Sequence, residues 1–308
     1  MMQLKIICEL IATKESIAEL RISSSRISRI SISSLFSPGI TLFGSKIISK
    51  LLQQTKTLKH LNLEKNQIKF QFCEGLALGL VENKSLEVLK LGCNPMGDQG
   101  VIALFQGLMA NNHLKELYLN RTKITSEVIE LISSFLQENK TLRILDLSDN
   151  EIGPTACVFL SNALEVNRSL QELNLSFNGI GDVGCVTLSK SLDGNSTLTS
   201  LDLRENNIGV DGCKAFLSKL EKNSSLRRLA IYPNVSPCYS KHLSKISFLL
   251  QSNDGEWSAQ KHIDLPETFK RAILTFCLVL KIIQKISHLM IPKFIKFEII
   301  KAINQKTF

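Results

Sequence analysis

Two aspartates, Asp146 and Asp202, and the pair His60 and Glu64 are the side chains whose types could support acid–base chemistry. Paired carboxylates do such chemistry when they lie close together and their surroundings raise one pKa. The two aspartates are separated by two 28-residue sequence repeats, which predicts a distance of about 10 Å across a sheet. No nucleophile accompanies His60. We therefore predict a protein that is not an enzyme and has no small-molecule substrate.

The eight cysteines could bind a metal or form disulfides. No CxxC pair and no His/Cys ligand spacing occurs, so we expect no metal and no other cofactor. Half of the cysteines share one repeat position, where other repeats have Val101 and Ile129, which indicates a small apolar core site. Helices that carry this position would pack about 8 to 10 Å apart, too far for an unstrained disulfide. These residues are Cys73, Cys157, Cys185 and Cys213.

The formal net charge of +9 suggests a nucleic-acid partner until it is divided along the chain. Residues 1–57 have 8 basic and 3 acidic side chains, residues 58–238 have 18 and 20, and residues 239–308 have 11 and 5. The positive excess therefore lies at the two ends. A duplex-binding protein would concentrate lysine and arginine on one face of the central part, so this distribution disfavours nucleic acid.

The sequence has neither a typical signal peptide nor a long apolar run. The N-terminal stretch has Glu9 and Glu15 among its apolar residues, unlike a signal peptide with a basic start and a clean apolar core. The longest uncharged apolar run, residues 272–280, is too short to span a bilayer. We expect a cytoplasmic protein whose cysteines are free thiols.

A 28-residue period organises the middle of the chain and would position every side chain considered above. Each unit follows LxxLxLxxNxI, often continues with GxxG, and ends with LxxxL and N-x-S/T. The first part alternates apolar and polar residues, which predicts a strand with one buried face. The second part has helical spacing, as in Cys157, Leu160 and Leu164, which predicts a helix packed on that strand. The units open at Leu58, Leu86, Leu114, Leu142, Leu170, Leu198 and Leu226.

Asparagine recurs at two positions of the repeat. One follows each strand, with Thr122 as the exception, where a buried amide can bond backbone groups that the turn leaves unpaired. The other follows each helix, where we expect the left-handed conformation that caps helix C-termini. The first set is Asn66, Asn94, Asn150, Asn178, Asn206 and Asn234, and the second is Asn83, Asn111, Asn139, Asn167, Asn195 and Asn223.

The pattern LxxLxLxxNxIGxxGxxxLxxxLxxN with a 28-residue period resembles the leucine-rich repeat family, specifically its ribonuclease-inhibitor-like subclass. The resemblance is strong over about residues 58–235 and weak over residues 1–57. It implies an α/β fold, a right-handed solenoid curved into a horseshoe with a parallel sheet on the concave side and helices on the convex side. The curvature would arise because strands stack about 4.8 Å apart, whereas packed helices need about 8 to 10 Å.

Two regions flank the repeats of residues 58–235. Residues 1–57 are predicted to form an N-terminal cap and an irregular repeat with an inserted loop. A strand around Arg21 would lie beside Asn62, and the Ser-rich insertion would follow it.

Residues 236–308 are predicted to form a C-terminal loop and a helical segment that caps the array or extends from it as a tail. The loop contains Trp257, and apolar residues over 269–287 have the spacing of an amphipathic helix. Such a helix would cover the apolar end that every solenoid has.

The strand residues on either side of each buried leucine should point to the concave face. They differ between repeats while the leucines recur, as a surface that recognises a protein would require. Tyr118, Arg204 and Tyr232 are the expected anchors, because tyrosine and arginine contribute disproportionately to interface energy. We predict a non-catalytic scaffold that binds an unidentified protein partner. The predicted binding residues are His60, Asn62, Lys90, Glu116, Tyr118, Asp146, Asn174, Asp202, Arg204, Arg228 and Tyr232.

Two alternative functions remain: a GTPase regulator, and a ubiquitin-ligase or membrane-surface adaptor that acts through the basic C-terminal helices. Ran GTPase-activating proteins resemble this repeat class, which would imply a GTPase regulator. Those proteins have an acidic C-terminal region, whereas the C-terminal region here is basic. The basic region could instead dock on an anionic membrane surface. Residues 289–300 also resemble the opening of an F-box, which would imply a ubiquitin-ligase adaptor.

Overall fold

A computed structural model describes residues 29–31, 42–231, 234 and 246 of the chain. In these residues, short strands alternate with helices. The strands are Arg29–Ser31 (β1), His60–Asn62 (β2), Val88–Lys90 (β3), Glu116–Tyr118 (β4), Ile144–Asp146 (β5), Glu172–Asn174 (β6), Ser200–Asp202 (β7) and Arg228–Ala230 (β8). The α-helices are Leu42–Gln54 (α1), Phe70–Glu82 (α2), Gly97–Leu108 (α3), Ile129–Glu138 (α4), Cys157–Val166 (α5), Gly181–Lys190 (α6) and Val210–Leu220 (α7). Short 3₁₀ turns at Ser126–Val128 and Ser191–Asp193 adjoin α4 and α6.

The strands form one open parallel sheet in which every strand pairs with its neighbour in the sequence. From β2 to β8 the register advances by 28 residues at each step, so Leu61 pairs with Leu89 and Leu89 with Leu117. One strand and one helix therefore make one coil of a solenoid. This arrangement confirms the predicted α/β solenoid with a parallel sheet.

The first strand lies later in the chain than the sequence analysis predicted. Arg29 pairs with His60 and Ser31 with Asn62, so β1 occupies the position that we expected for the residues around Arg21. The placement of Arg21 beside Asn62 is therefore wrong. The isoleucines at positions 30 and 32 alternate with serines, which favours a strand within the Ser-rich stretch, where an inserted loop or an irregular strand was predicted.

Other predictions for the two ends lie outside the described residues. They concern the N-terminal cap before Arg29, the loop with Trp257 and the amphipathic helix at 269–287. The domain boundaries at these ends stay predictions.

The core is a column of leucines between the sheet and the helices. The middle residue of each strand from β2 to β8 is a buried leucine, and Leu147 and its equivalents two residues further are also buried. Phe105 of α3 and Phe135 of α4 meet edge to face, with ring centroids 5.1 Å apart. Cys73, Cys157, Cys185 and Cys213 are buried free thiols, as predicted for a core column.

The asparagine that follows each strand joins successive coils. Asn94 is fully buried, and its Oδ1 accepts the backbone N–H groups of Asn66 (2.8 Å) and Ile68 (3.0 Å) in the preceding coil. Its Nδ2 donates to the carbonyls of Leu63 (2.9 Å) and Leu91 (2.7 Å). Equivalent bonds recur at Asn150, Asn178, Asn206 and Asn234. The predicted satisfaction of backbone groups is therefore confirmed.

The asparagine that follows each helix does not adopt the predicted left-handed cap. Asn83 is extended, with φ −79° and ψ 126°, and Asn139 and Asn167 are similar. Its side chain bonds instead, because Oδ1 accepts the N–H of Leu86 (2.7 Å) and Nδ2 donates to Leu52 O of the preceding coil (2.7 Å). Left-handed residues occur elsewhere, where the chain turns off the sheet. Apart from glycines, they are Lys65, Gln67, Cys93, Arg121, Lys123, Asp149, Phe177, Glu205 and Asn207.

Truncating Leu147 to alanine tests the leucine core. Because Leu147 is fully buried, we expect Leu147→Ala to lower the free energy of unfolding by about 2 to 5 kcal/mol, from lost burial and the cavity that remains. Urea unfolding followed by circular dichroism measures this value. Val183→Ala is the control, since Val183 is 72% exposed and should change stability by less than about 0.5 kcal/mol. Equal stability of Leu147→Ala and the wild type would contradict the register.

Replacing Asn94 with alanine tests the bonds between coils. The change leaves the N–H groups of Asn66 and Ile68 without the acceptor at position 94, and we expect a loss of about 1 to 3 kcal/mol for each buried group that stays unpaired. The same unfolding experiment on Asn162→Ala provides the comparison, because Asn162 is exposed on α5. A loss no larger than that of the control would show that Asn94 is dispensable.

Candidate protein-binding surface

Three rows of side chains lie on the sheet face that points away from the helices, which we call the concave face. The first row consists of the first residue of each three-residue strand, and the middle row consists of its last residue, on the other side of the buried leucine. The third row lies two positions after the middle row. Apart from the buried Val88, the first- and middle-row residues of β2 to β8 are partly or fully exposed. Neighbours within a row are about 4.8 Å apart, so a partner could contact several coils at once.

All of the predicted binding residues except Tyr232 lie on this face with exposed surface. Tyr232 is outside the described residues. The structure therefore brings the remaining predicted residues together, and their role in binding stays a prediction. They are His60, Glu116 and Arg228 in the first row, Asn62, Lys90, Tyr118, Asp146, Asn174 and Asp202 in the middle row, and Arg204 in the third.

The four Asn and Asp residues of the middle row stabilise the turn that follows each strand. In each case the side-chain oxygen accepts the N–H two residues further on, at 2.9 Å for Asn62 and for Asp146. The same bond is 3.1 Å at Asn174 and 3.0 Å at Asp202. Such local bonds are typical of Asn and Asp at turns. This role was not predicted, although the recurrence of Asn and Asp in one row of the repeats indicates it.

Lys90 and Tyr118 interrupt this pattern in the middle row. Lys90 Nζ lies 4.5 Å from the centroid of the Tyr118 ring, a cation–π contact between neighbouring strands. The Tyr118 hydroxyl donates a hydrogen bond to Glu116 Oε2 at 3.0 Å. Together, Lys90, Tyr118 and Glu116 form a cluster of three different chemical types, which we call the tyrosine cluster.

The surroundings of Tyr118 raise its pKa above the ordinary tyrosine value. The largest cause is partial burial of the phenol, followed by the hydrogen bond and charge of Glu116. The carboxylates of Asp146 and Glu172 on the next two strands act in the same direction. The phenol therefore stays protonated at neutral pH, and the sheet around it is acidic.

Arg204 is held by its neighbour Asp202. Its Nε lies 3.0 Å from both carboxylate oxygens, and Nη2 lies 2.5 Å from Oδ2. The pair raises the pKa of Arg204, chiefly through the hydrogen bonds to Asp202. Half of the Arg204 side chain is still exposed. Arg204 therefore presents an oriented guanidinium whose charge is already partly offset.

The two aspartates considered for acid–base chemistry are not on adjacent strands, and the cysteines of the repeat column are buried free thiols. Asp146 and Asp202 lie on β5 and β7 with β6 between them, and Asp146 bonds to Ser148 at 2.6 Å. In the part of the chain that the structure describes, no group of three His, Cys, Asp or Glu residues could hold a metal ion. Burial raises the pKa of the Cys73 and Cys157 thiols to about 12, so these cysteines are not activated nucleophiles.

Comparison with known families supports the repeat assignment. A family model for the leucine-rich repeat matches residues 82–105, 110–133, 138–161, 166–189 and 194–217. Its successive matches begin 28 residues apart, as the period predicts. No curated protein matches the chain in sequence. None of the helices described is long and apolar enough to cross a membrane.

Two solved structures of low sequence identity are among those that match this chain. One is the actin-binding site 2 of leiomodin-1, at 20% identity and a TM-score of 0.44, covering 49% of this chain and 90% of that one. The other is a complex of Rad7 and Elc1 in yeast, at 17% identity and a TM-score of 0.45, covering 67% of this chain and 50% of that one.

The raised pKa of Tyr118 predicts a specific loss of stability in alkali. An acid whose pKa is higher in the folded state stabilises that state fully below its unfolded pKa, about 10 for tyrosine, and the stabilisation is lost as pH rises above that value. We expect the free energy of unfolding to fall less between pH 8 and pH 11 in Tyr118→Phe than in the wild type. Urea titrations at both pH values measure the difference. Identical losses would contradict the proposed environment of Tyr118.

Proposed function

The chain is a leucine-rich repeat protein, and from this premise we propose that it is a non-catalytic scaffold that binds a protein partner through its concave face. The constant 28-residue step of the strands from β2 to β8 favours the ribonuclease-inhibitor-like subclass. Leucine-rich repeats generally mediate protein–protein interaction. The proposed location is the cytoplasm, because unpaired thiols such as Cys93 and Cys157 are typical of reducing compartments.

The observation that carries the proposal is the tyrosine cluster. Among the described residues, the side chains of Lys90 and Tyr118 contact each other and Glu116 instead of the backbone turn that the four Asn and Asp residues of their row hold, so bonding that turn does not account for them. A ring with one face near a cation and a hydroxyl bonded to a carboxylate offers apolar and polar contacts at one point. Interfaces concentrate their energy in such aromatic anchors.

The charge around the cluster supports a partner with basic and apolar groups. Three carboxylates lie within two strands of Tyr118: Glu116, Asp146 and Glu172. Ile144 lies between Glu116 and Glu172 in the first row and offers an apolar surface to a partner. Complementary charge would steer and orient the partner. We propose that the partner presents a lysine or arginine beside an apolar side chain. The alternatives that act through residues 269–308 concern residues outside the described part.

Truncating Tyr118 tests this proposal. Proximity labelling in cells would identify candidate partners, and the affinity of a purified candidate would then be measured by isothermal titration calorimetry. We expect Tyr118→Ala to weaken binding by about tenfold or more, the size of effect found for an interface anchor, while circular dichroism stays unchanged. Leu78→Ala is the matched control, because Leu78 is 65% exposed on helix α2.

Two outcomes would contradict the proposal. In the first, Tyr118→Ala binds as the wild type does while Leu78→Ala loses affinity, which would move the interface to the helices. In the second, the purified chain accelerates GTP hydrolysis by a GTPase at substoichiometric amounts, which would favour the regulatory alternative over a passive scaffold.

A further inference from the structure

A second charged surface lies at the edge of the sheet where the strands begin, apart from the concave rows. It is a groove of about 280 Å³ lined mainly by cationic side chains. We call it the basic groove. The Lys, Arg and Glu side chains that line it are Lys59, Lys84, Glu87, Lys115, Lys140 and Arg143.

The solenoid brings these cations together from separate repeats. Lys59, Glu87, Lys115 and Arg143 each come directly before a strand, so they stand side by side on the neighbouring strands β2 to β5. Lys84 and Lys140 come from the loops after α2 and α4. Five cations and one carboxylate therefore line the same groove, although the repeats as a whole are nearly neutral.

Glu87 demonstrates how the groove holds an oxyanion. Its Oε1 lies 2.6 Å from Lys59 Nζ, and its Oε2 lies 2.7 Å from Lys115 Nζ. These two lysines lower the pKa of Glu87 to about 2, with the hydrogen bond from Lys115 as the largest cause. One carboxylate thus occupies two of the lysines and stays ionised at any ordinary pH.

The other cations of the groove have no such partner. Across the ranges that the structure describes, Lys84, Lys140 and Arg143 make no salt bridge. The strand positions beside Arg143 are Lys115 and Gln171, neither of which is acidic. The groove therefore carries uncompensated positive charge on the side away from Lys59.

The backbone beneath these cations is held rigidly. Asn139, immediately before Lys140, accepts the N–H groups of Thr141 (2.9 Å) and Leu142 (2.7 Å). Asn167 of the following coil donates to Leu136 O at 2.6 Å, which ties that coil to the end of α4. An anion would therefore meet cations whose backbone positions are already set, which lowers the entropy cost of binding.

We propose that the basic groove binds a phosphorylated segment of a protein partner, with the phosphate held by Lys140 and Arg143 beside Lys115, whose ammonium group also bonds Glu87. Arginine can bond a phosphate through two parallel N–H groups, and lysine adds a compact charge. His113 is the one aromatic side chain among the described residues that line the groove, whereas single-stranded nucleic-acid sites stack successive bases on several aromatic rings. The lining has no large apolar side chain for membrane insertion. This site does not depend on the concave-face function.

The direct test uses a fluorescent peptide with one phosphoserine in a Gly-Ser context, and the same peptide without phosphate. Fluorescence anisotropy at low salt gives the affinities. We expect only the phosphopeptide to bind, and expect Lys140→Gln and Arg143→Gln each to weaken it about tenfold. Lys190→Gln is the control, because it removes the same charge from an exposed site on α6 and should leave the affinity unchanged.

Glu87→Gln should raise the affinity for the phosphopeptide, whereas Lys140→Gln and Arg143→Gln should lower it. Removing this carboxylate frees Lys59 and Lys115, so the phosphopeptide should bind several-fold more tightly. A variant that only damaged the fold would bind more weakly, and circular dichroism of every variant checks that it is folded.

Several outcomes would overturn the proposal. Equal losses in Lys190→Gln and Arg143→Gln would indicate unspecific attraction. Equal binding of a peptide with glutamate in place of phosphoserine would make the ligand a carboxylate segment. Tighter binding of a single-stranded 12-mer oligonucleotide, or of vesicles containing phosphatidylserine, with the same dependence on Arg143 would assign the groove to nucleic acid or membrane. None of these outcomes bears on Tyr118, so the two proposals fail separately.

Discussion

The buried asparagine amide that bonds across successive coils is the interaction on which the rest of the structure depends. Asn94 accepts two N–H groups of the preceding coil and donates to a carbonyl there, and equivalents occur in most later coils. Because the bonds require one fixed offset, they lock the 28-residue step. The asparagines after the helices, such as Asn83, apply the same constraint at the opposite edge. With both edges fixed, each coil repeats the one before it.

This repetition separates the scaffold from the surface. The side chains of the repeated leucines and asparagines contact neighbouring coils. The residue types at the first and last positions of each strand can therefore differ from coil to coil. Asn62, Asp146 and their equivalents use part of that freedom to hold the turn, whereas Lys90 and Tyr118 do not. The same stacking aligns lysine and arginine side chains of successive coils at the edge where the strands begin. One constraint therefore produces both the group of acidic side chains around Tyr118 and the basic groove.

The sequence predicts the repeats well because each leucine recurs at the same offset, and seven strands and helices fall where the period places them. It fails at β1, where a high density of serines obscured the alternation of Ile30 and Ile32. It also misassigned the role of Asn83, because residue type does not reveal whether asparagine acts through its backbone or its side chain. The basic groove could not be predicted from the net charge of sequence segments, because each segment combines the charges of several coils. Lys115 and Arg143 are neighbours in space but are 28 residues apart in the sequence.

Site-specific photo-crosslinking in cells tests the central claim most directly. A photoreactive amino acid would replace Ser200 or Asn120, which are partly exposed on the concave face, or Val158, which is exposed on helix α5. The account predicts that both concave positions crosslink the same protein partner and that position 158 does not. Crosslinks to a partner from position 158 alone would contradict it.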